Sequence, residues 1–116
     1  NTTEENRDKL KSANKYQKGG LSGKPLEEKS NDLINTFYNS LKGKIPIIGV
    51  GGIDSGKSAY EKILNGASLV QLYTGMIYQG PSLINEINEG LSSLLKKDGF
   101  SNISEAIGVN TGVKVE

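Results

Sequence analysis

Two segments of the chain repeat apolar residues at the spacing of an amphipathic helix. The first runs from Leu26 to Leu41 and is followed by Gly43, a common helix stop. The second carries its stripe on Leu83, Ile84, Ile87, Leu91, Leu94 and Leu95. The pattern predicts two helices, each of which buries one face.

Two short apolar runs have a different pattern. Ile45–Val50 and Ala67–Tyr73 are nearly continuous in apolar residues, as expected of strands that are buried on both faces of a parallel sheet. Pro46 fits best at the start of the first strand, because proline cannot donate to a sheet. We therefore predict two buried strands.

The residues between the two runs predict a third helix. Gly51-Gly52 ends the first strand, and either Asp54 or Ser55 can cap a helix that extends from about Gly56 to Asn65. Gly66 supplies its stop. After the second strand, Thr74-Gly75 and a short connection with Gly80-Pro81 lead to the last helix.

The resulting order is α, β, α, β, α. Helices that alternate with buried strands imply parallel βαβ units, which occur in doubly wound sheets and in (β/α)₈ barrels. Two strands close neither fold, and a barrel takes about 250 residues. We expect these 116 residues, which begin with Asn1 rather than Met, to be a piece of one larger domain that does not fold alone.

Composition excludes several kinds of function for this stretch. Lys and Arg number 14 against 13 Asp and Glu, and they are scattered, so nucleic acid is not an expected partner. The chain has no cysteine and no histidine, which argues against a metal site. No apolar run approaches the roughly 20 residues of a membrane-spanning helix.

The strand ends carry the strongest hint of chemistry. Gly51-Gly52 and Thr74-Gly75 can bring backbone N–H groups close to an anion, and the following helix N-termini add partial positive charge. In (β/α)₈ barrels, the loops after strands 7 and 8 often bind phosphate. A purely steric need for glycine in tight turns explains Gly51 and Gly52 about equally well. For the glycine cluster Gly19–Gly23, the sequence leaves two interpretations open: its backbone packs against a flat ligand, or it forms a flexible hinge.

The charged residues look structural. We assign no catalytic role to the carboxylates, which lie among lysines in polar stretches: Glu4, Glu5, Asp8, Glu27, Glu28 and Asp32. Lys57 and Glu61 are placed to pair weakly along their helix, and Lys62 is expected to be structural.

Four linked segments resemble class 2 dihydroorotate dehydrogenases. They are, in order, Asn1-Thr2-Thr3, Gly19–Leu26 (GGLSGKPL), Ile45–Gly52 (IPIIGVGG) and Gly66–Thr74 (GASLVQLYT). The similarity continues through Gly80-Pro81 and Ser104–Gly108. It implies an FMN-binding (β/α)₈ barrel of which residues 1–116 hold the last two strands and their flanking helices, with residues 1–23 as an active-site loop.

The resemblance also implies roles for individual residues. Asn1 and Thr2 would bind the substrate. The residues implied to bind FMN are Ser22, Gly23, Gly51, Gly52, Tyr73 and Thr74. A quinone tunnel would be lined by Tyr73, Met76, Ile77 and Pro81. The catalytic base of the family would lie upstream, so no catalytic residue is expected here.

The implied activity is the FMN-dependent oxidation of dihydroorotate to orotate with ubiquinone as acceptor, in de novo pyrimidine (UMP) biosynthesis. In a eukaryote, such an enzyme would be peripheral to the mitochondrial inner membrane and attached through an N-terminal region outside this chain. The alternatives are another phosphate- or FMN-binding barrel enzyme and a non-catalytic interaction module built on a barrel remnant.

Overall fold

A computed structural model describes residues 2–113 as an α/β arrangement of two parallel strands and five α-helices. A single 3₁₀ turn precedes the first helix at Lys24–Leu26, and another occurs at Arg7–Lys9. None of the helices in this range is long and apolar enough to cross a membrane. The elements are α1 (Glu27–Leu41), β1 (Ile48–Val50), α2 (Gly56–Leu64), β2 (Leu69–Gln71), α3 (Thr74–Gln79), α4 (Leu83–Lys97) and α5 (Ile103–Ala106).

The two strands are neighbours in one parallel sheet, and α2 makes the connection between them. Ile48 pairs with Leu69, and Val50 pairs with Gln71. Both strands are shorter than predicted, and the expectation of burial on both faces is wrong for Ile48, 58% exposed, and Leu69, 65% exposed. The reason is that no other strand or helix within residues 2–113 covers these side chains.

Helix α2 begins at a capping box. The Ser58 N–H donates to Ser55 Oγ at 3.1 Å, and the Ser55 N–H donates to Ser58 Oγ at 3.1 Å. Of the two candidate caps, Ser55 is therefore the cap. Such a box satisfies amide groups that a helix start leaves without partners.

The main core lies between α2 and α4. One cluster contains Ile53, Ala59, Leu83 and Ile87, and a second contains Tyr60, Ile63 and Ala106. The two helix backbones approach closely at Gly56 and Gly90, where a Cβ on Gly56 would lie 2.8 Å from the Gly90 Cα. Glycine is required at this crossing because any side chain would push the helices apart.

Helix α1 packs on the same face of the sheet as α2 and buries half of its stripe there. Ile34 and Tyr38 are buried, whereas Leu33 and Phe37 are half exposed. The Tyr38 ring is so close to Gly66 that a Cβ there would lie 2.5 Å from it. The face of α1 that contains Leu33 and Phe37 therefore has no partner within residues 2–113.

The structure differs from the sequence-based expectations at four further points. The predicted connection after β2 contains the short helix α3, and the residues after α4 form α5. Lys57 and Glu61 form no salt bridge in the described part of the chain. Glu27 is not simply solvated, because it pairs with Lys24.

Candidate functional site

A cleft of about 1000 Å³ opens at the carboxyl ends of β1 and β2. Ligand sites in open parallel sheets and barrels lie at this end of the strands. The cleft is lined by three segments: the loop that precedes α1, the turn after β1 and the residues after β2. All six residues expected to bind a cofactor line it: Ser22, Gly23, Gly51, Gly52, Tyr73 and Thr74.

The loop before α1 is fastened to the end of β2. Ser22 Oγ and Thr74 Oγ1 lie 3.1 Å apart and share a hydrogen bond. Gly23 has φ of 81°, and a Cβ there would lie 2.9 Å from the Thr74 Cγ2. Only glycine therefore lets the loop come this close to Thr74.

The same loop is fastened to the turn after β1 through Lys24. Its ammonium group contacts Glu27 and lies 3.3 Å from Asp54 Oδ1. The hydrogen bond to Glu27, aided by Asp54, raises the pKa of Lys24. The Asp54 carbonyl also accepts a 3.0 Å hydrogen bond from Gln79 Nε2. Asp54 thus joins three segments of the cleft, and two carboxylates offset the charge of Lys24.

The turn after β1 packs tightly against the start of α1. Gly51 and Gly52 have φ of 121° and 72°. A Cβ on Gly52 would lie 2.7 Å from the Glu27 Cβ and 2.9 Å from its backbone, and one on Gly51 would lie 3.1 Å from the Ser30 Cβ. Both glycines are therefore needed for packing, in addition to any contact with a ligand.

Two backbone N–H groups at this turn have no hydrogen-bond acceptor within the described residues. Among the hydrogen bonds between residues 2 and 113, none is donated by the N–H of Gly52 or of Ile53. The capping box satisfies the next amides, because the Asp54 and Ser55 N–H groups both donate to Ser58 Oγ. Ser55 and Ser58 thus bond part of the start of α2, and Gly52 and Ile53, whose N–H groups have no acceptor in the described range, line the cleft.

A buried lysine packs near Gly49 of β1, outside the cleft. Lys62 is fully buried, and its Nζ donates to Asn31 Oδ1 at 2.7 Å. Desolvation lowers the pKa of Lys62 to about 8, although the charge of Glu27 acts in the other direction. Lys62 does not line the cleft, and its contact with Asn31 ties α2 to α1.

The N-terminal residues approach the cleft from one side. Asn1 lies outside the described residues, while Thr2 lines the cleft. The next residue forms an antiparallel bridge to Leu21: the Thr3 N–H donates to the Leu21 carbonyl at 2.9 Å and the Leu21 N–H donates back at 2.7 Å. The bridge holds Thr2 beside Gly20 at the rim.

The four residues expected to line a quinone tunnel do not lie together on this cleft. Tyr73 lines it and is 72% exposed. Met76, Ile77 and Pro81 are absent from its wall; Ile77 is 63% exposed on α3. Their neighbour Tyr78 does line the cleft and is 85% exposed. The surface around α3 is thus apolar and open.

Sequence reasoning overlooked the side chains that assemble the site. Asp54 was considered only as a helix cap, yet it connects three segments. No role was predicted for Ser30 or Asn31 on α1. No local pattern identifies them, because their partners are 20 to 31 positions away in sequence.

Comparison with known proteins agrees with this geometry. A family model described as dihydroorotate dehydrogenase matches residues 1–95. The dihydroorotate dehydrogenase (quinone) of Nautilia profundicola is 54% identical over 100 residues, which are 86% of this chain and 28% of that protein. The mitochondrial dihydroorotate dehydrogenase (quinone) of Arabidopsis thaliana is 54% identical over 92 residues, 79% of this chain and 20% of that protein.

A solved structure gives the same result. The ligand-free DHODH from Eimeria tenella superimposes with a TM-score of 0.90 at 39% identity, and the match covers 95% of this chain and 31% of that one. The chain thus spans less than a third of the length of these relatives. On the family match, the two sequence relatives and the shared structure, the chain belongs to the dihydroorotate dehydrogenase family.

Proposed function

We propose that the full-length protein that contains this chain oxidises dihydroorotate to orotate with FMN and passes the electrons to a quinone, as a step of de novo pyrimidine (UMP) biosynthesis. The observation that carries this proposal is the cleft at the carboxyl ends of β1 and β2, where three glycine-containing segments meet. The names of the relatives, which include the word quinone, support the choice of acceptor.

In this proposal, β1 and β2 are the last two strands of a (β/α)₈ barrel. The parallel pairing through α2 and the uncovered side chains of Ile48 and Leu69 support it, because neighbouring barrel elements would cover them. The remaining N-terminal part of the barrel is then the main partner of this chain.

The cleft fits FMN by its size and its donors. Its volume of about 1000 Å³ is at the upper end of the usual range for cofactor and ligand sites. We place the phosphate at the N–H groups of the Gly51–Gly52 turn and at Tyr73 and Thr74. Ser22 and Gly23 contact the cofactor from the loop. When bound, FMN supplies the redox chemistry, because its ring accepts the electrons that dihydroorotate loses.

The other parts of the cleft take the substrate and the acceptor. Asn1 and Thr2 hold the polar edge of dihydroorotate, with residues 1–23 as the active-site loop that shields it. Tyr73, Met76, Ile77 and Pro81 line the approach for the quinone, and the openness of α3 supports this, since an apolar ligand needs an apolar surface. In a eukaryote we place the enzyme at the mitochondrial inner membrane, attached through a region outside this chain.

The activity is tested on the full-length protein. We expect the purified protein to carry FMN, seen by visible absorbance, and to reduce a soluble quinone only when dihydroorotate is added. A protein that binds no flavin, or that binds it and leaves dihydroorotate unchanged, would rule out the proposed reaction.

The substrate side is tested separately with Asn1→Ala. The amide offers a donor and an acceptor, and each buried hydrogen bond to the substrate contributes roughly 1–3 kcal/mol, so kcat/KM falls by about tenfold to a hundredfold while flavin content stays unchanged. Asn88→Ala, on the exposed side of α4, is the matched control and keeps full activity. Unchanged turnover in Asn1→Ala would remove Asn1 from the site.

A further inference from the structure

One hydrogen bond connects helix α1 to the end of strand β1, beside the cleft. Ser30 Oγ, on the second turn of α1, donates to the carbonyl oxygen of Val50 at 2.5 Å. Val50 is the last residue of β1, and its carbonyl belongs to the peptide unit that continues into Gly51. Ser30 itself does not line the cleft, so it has no direct access to a ligand there.

The geometry of a peptide unit makes this bond important for the turn. Because the peptide is planar and trans, fixing the direction of the Val50 carbonyl also fixes the direction of the Gly51 N–H. The turn continues to Gly52 and Ile53, whose N–H groups have no acceptor between residues 2 and 113. The orientation at Val50 thus sets the starting direction of the segment that offers these donors.

Packing alone does not set this direction. Glu27 limits the space beside Gly52, and Ser30 limits the space beside Gly51. Both glycines have a positive φ, and glycine has several accessible conformations in that region. A directional bond is needed to select one of them, and Ser30 provides it.

We propose that Ser30 is a positioning residue, which orients the Gly51–Gly52 turn so that its backbone N–H groups bind the phosphate of the flavin. This inference rests on the proposed function. It predicts that a side chain outside the cleft contributes to the recognition of the phosphate but not of the flavin ring.

The test compares FMN with riboflavin, which has the same ring and no phosphate. Both are titrated into the flavin-free full-length protein, and binding is followed by quenching of flavin fluorescence. We expect Ser30→Ala to weaken FMN binding about tenfold and to leave riboflavin binding within about twofold. Ser30→Thr, which keeps the hydroxyl group, restores the preference for FMN.

Thr36→Ala is the matched control. Thr36 Oγ1 also donates to a backbone carbonyl, that of Asp32 at 2.9 Å, but both residues lie within α1. Its loss should leave both affinities unchanged. If Ser30→Ala does not fold, Ser30→Cys replaces it, because the thiol is a weak donor of similar size and should give an intermediate loss of FMN affinity.

The outcomes separate the two proposals. An unchanged ratio of FMN to riboflavin affinity in the Ser30 variants would overturn the positioning role, as would an equal loss for both flavins, which would indicate a structural role only. If the unmodified protein does not prefer FMN to riboflavin, or binds neither, the phosphate site of the proposed function fails and Ser30 has nothing to position.

Discussion

Helices α1 and α4 have the same length, 15 residues each, and both are amphipathic, yet the chain covers them to different degrees. Most of the apolar stripe of α4 is packed against α2, with Leu83 and Ile87 buried, and only Ile84 of the stripe is exposed, at 46%. The stripe of α1 is divided: Ile34 is buried, whereas Phe37 is 57% exposed. The two helices show which surfaces this chain completes by itself and which it does not.

Under the proposed function, the difference indicates where the rest of the barrel attaches. The exposed side of α1 and the exposed strand residues Ile48 and Leu69, which point to the opposite face of the sheet, are two open apolar surfaces. On the α2–α4 side, two glycines allow backbone contact and leave little space. The two open surfaces are therefore the expected interfaces with the proposed upstream barrel, whereas the α2–α4 contact is already formed.

The comparison is tested most strongly by removing the proposed upstream barrel altogether. Residues 1–116 expressed alone should be unfolded or aggregated, because the α1 surface and both strand edges would be exposed. Calorimetry should show a cooperative transition for the full-length protein and none for the isolated segment. A sharp transition of the isolated segment would mean that the α2–α4 core is sufficient.

Phe37→Ala in the full-length protein gives the next largest effect. If Phe37 is buried against the upstream barrel, the substitution lowers the free energy of unfolding by about 3–5 kcal/mol, as for other buried aromatic residues. Denaturant unfolding measures it, and Ser93→Ala, exposed on α4, is the control with little effect. A loss of less than about 0.5 kcal/mol would place Phe37 in solvent and remove α1 from the interface.

Lys62→Met tests the packed side of α1, where Lys62 contacts Asn31. Lys62 has a folded pKa of about 8 against its usual 10.5, so between these values the unfolded state binds more protons and stability rises with pH. Relative to Lys62→Met, the unmodified protein should gain about 3 kcal/mol between pH 7 and 10.5. Tyr60, whose pKa is raised to about 12 by burial and by Asp98, titrates alike in both proteins and cancels in the difference.

Unfolding of both full-length proteins in urea at several pH values measures this gain. A difference that stays constant from pH 7 to 10.5 would mean that the Lys62 ammonium is solvated or well compensated. In that case the charged Lys62 ammonium would not be destabilised by burial beside Asn31.

Local sequence signals predicted the helices well. The predicted start of α1 at Leu26 differs by one residue from the structure and the predicted end at Leu41 agrees with it, because periodicity and a following glycine are local properties. The lengths of the strands were overestimated, because the apolar run Ile45–Val50 does not reveal how many neighbouring strands are present to extend the hydrogen-bonded ladder. Helix α3 was missed because it begins without a side-chain cap and contains Gly75.

The grouping of the candidate site residues, as distinct from their roles, was predicted for the same reason. Glycine turns are visible in sequence, and the structure brings the two turns and the loop with Ser22 to one cleft. Burial of a lysine at position 62 has no local signature, because it depends on Asn31 of another helix. The contacts of Asp54 and Ser30 are likewise set by tertiary packing, which a single sequence does not encode in a readable pattern.

The bridge between Thr3 and Leu21 has a consequence for engineering. It closes the intervening residues into a loop whose two ends are held side by side by two hydrogen bonds. The entropy of closing such a loop grows only with the logarithm of its length, about 0.6 kcal/mol for each doubling. Most of its residues are exposed. An insertion at residues 11–14, which are exposed and do not line the cleft, would therefore lengthen the loop at little entropic cost, whereas one beside Leu10 would disturb the wall of the cleft.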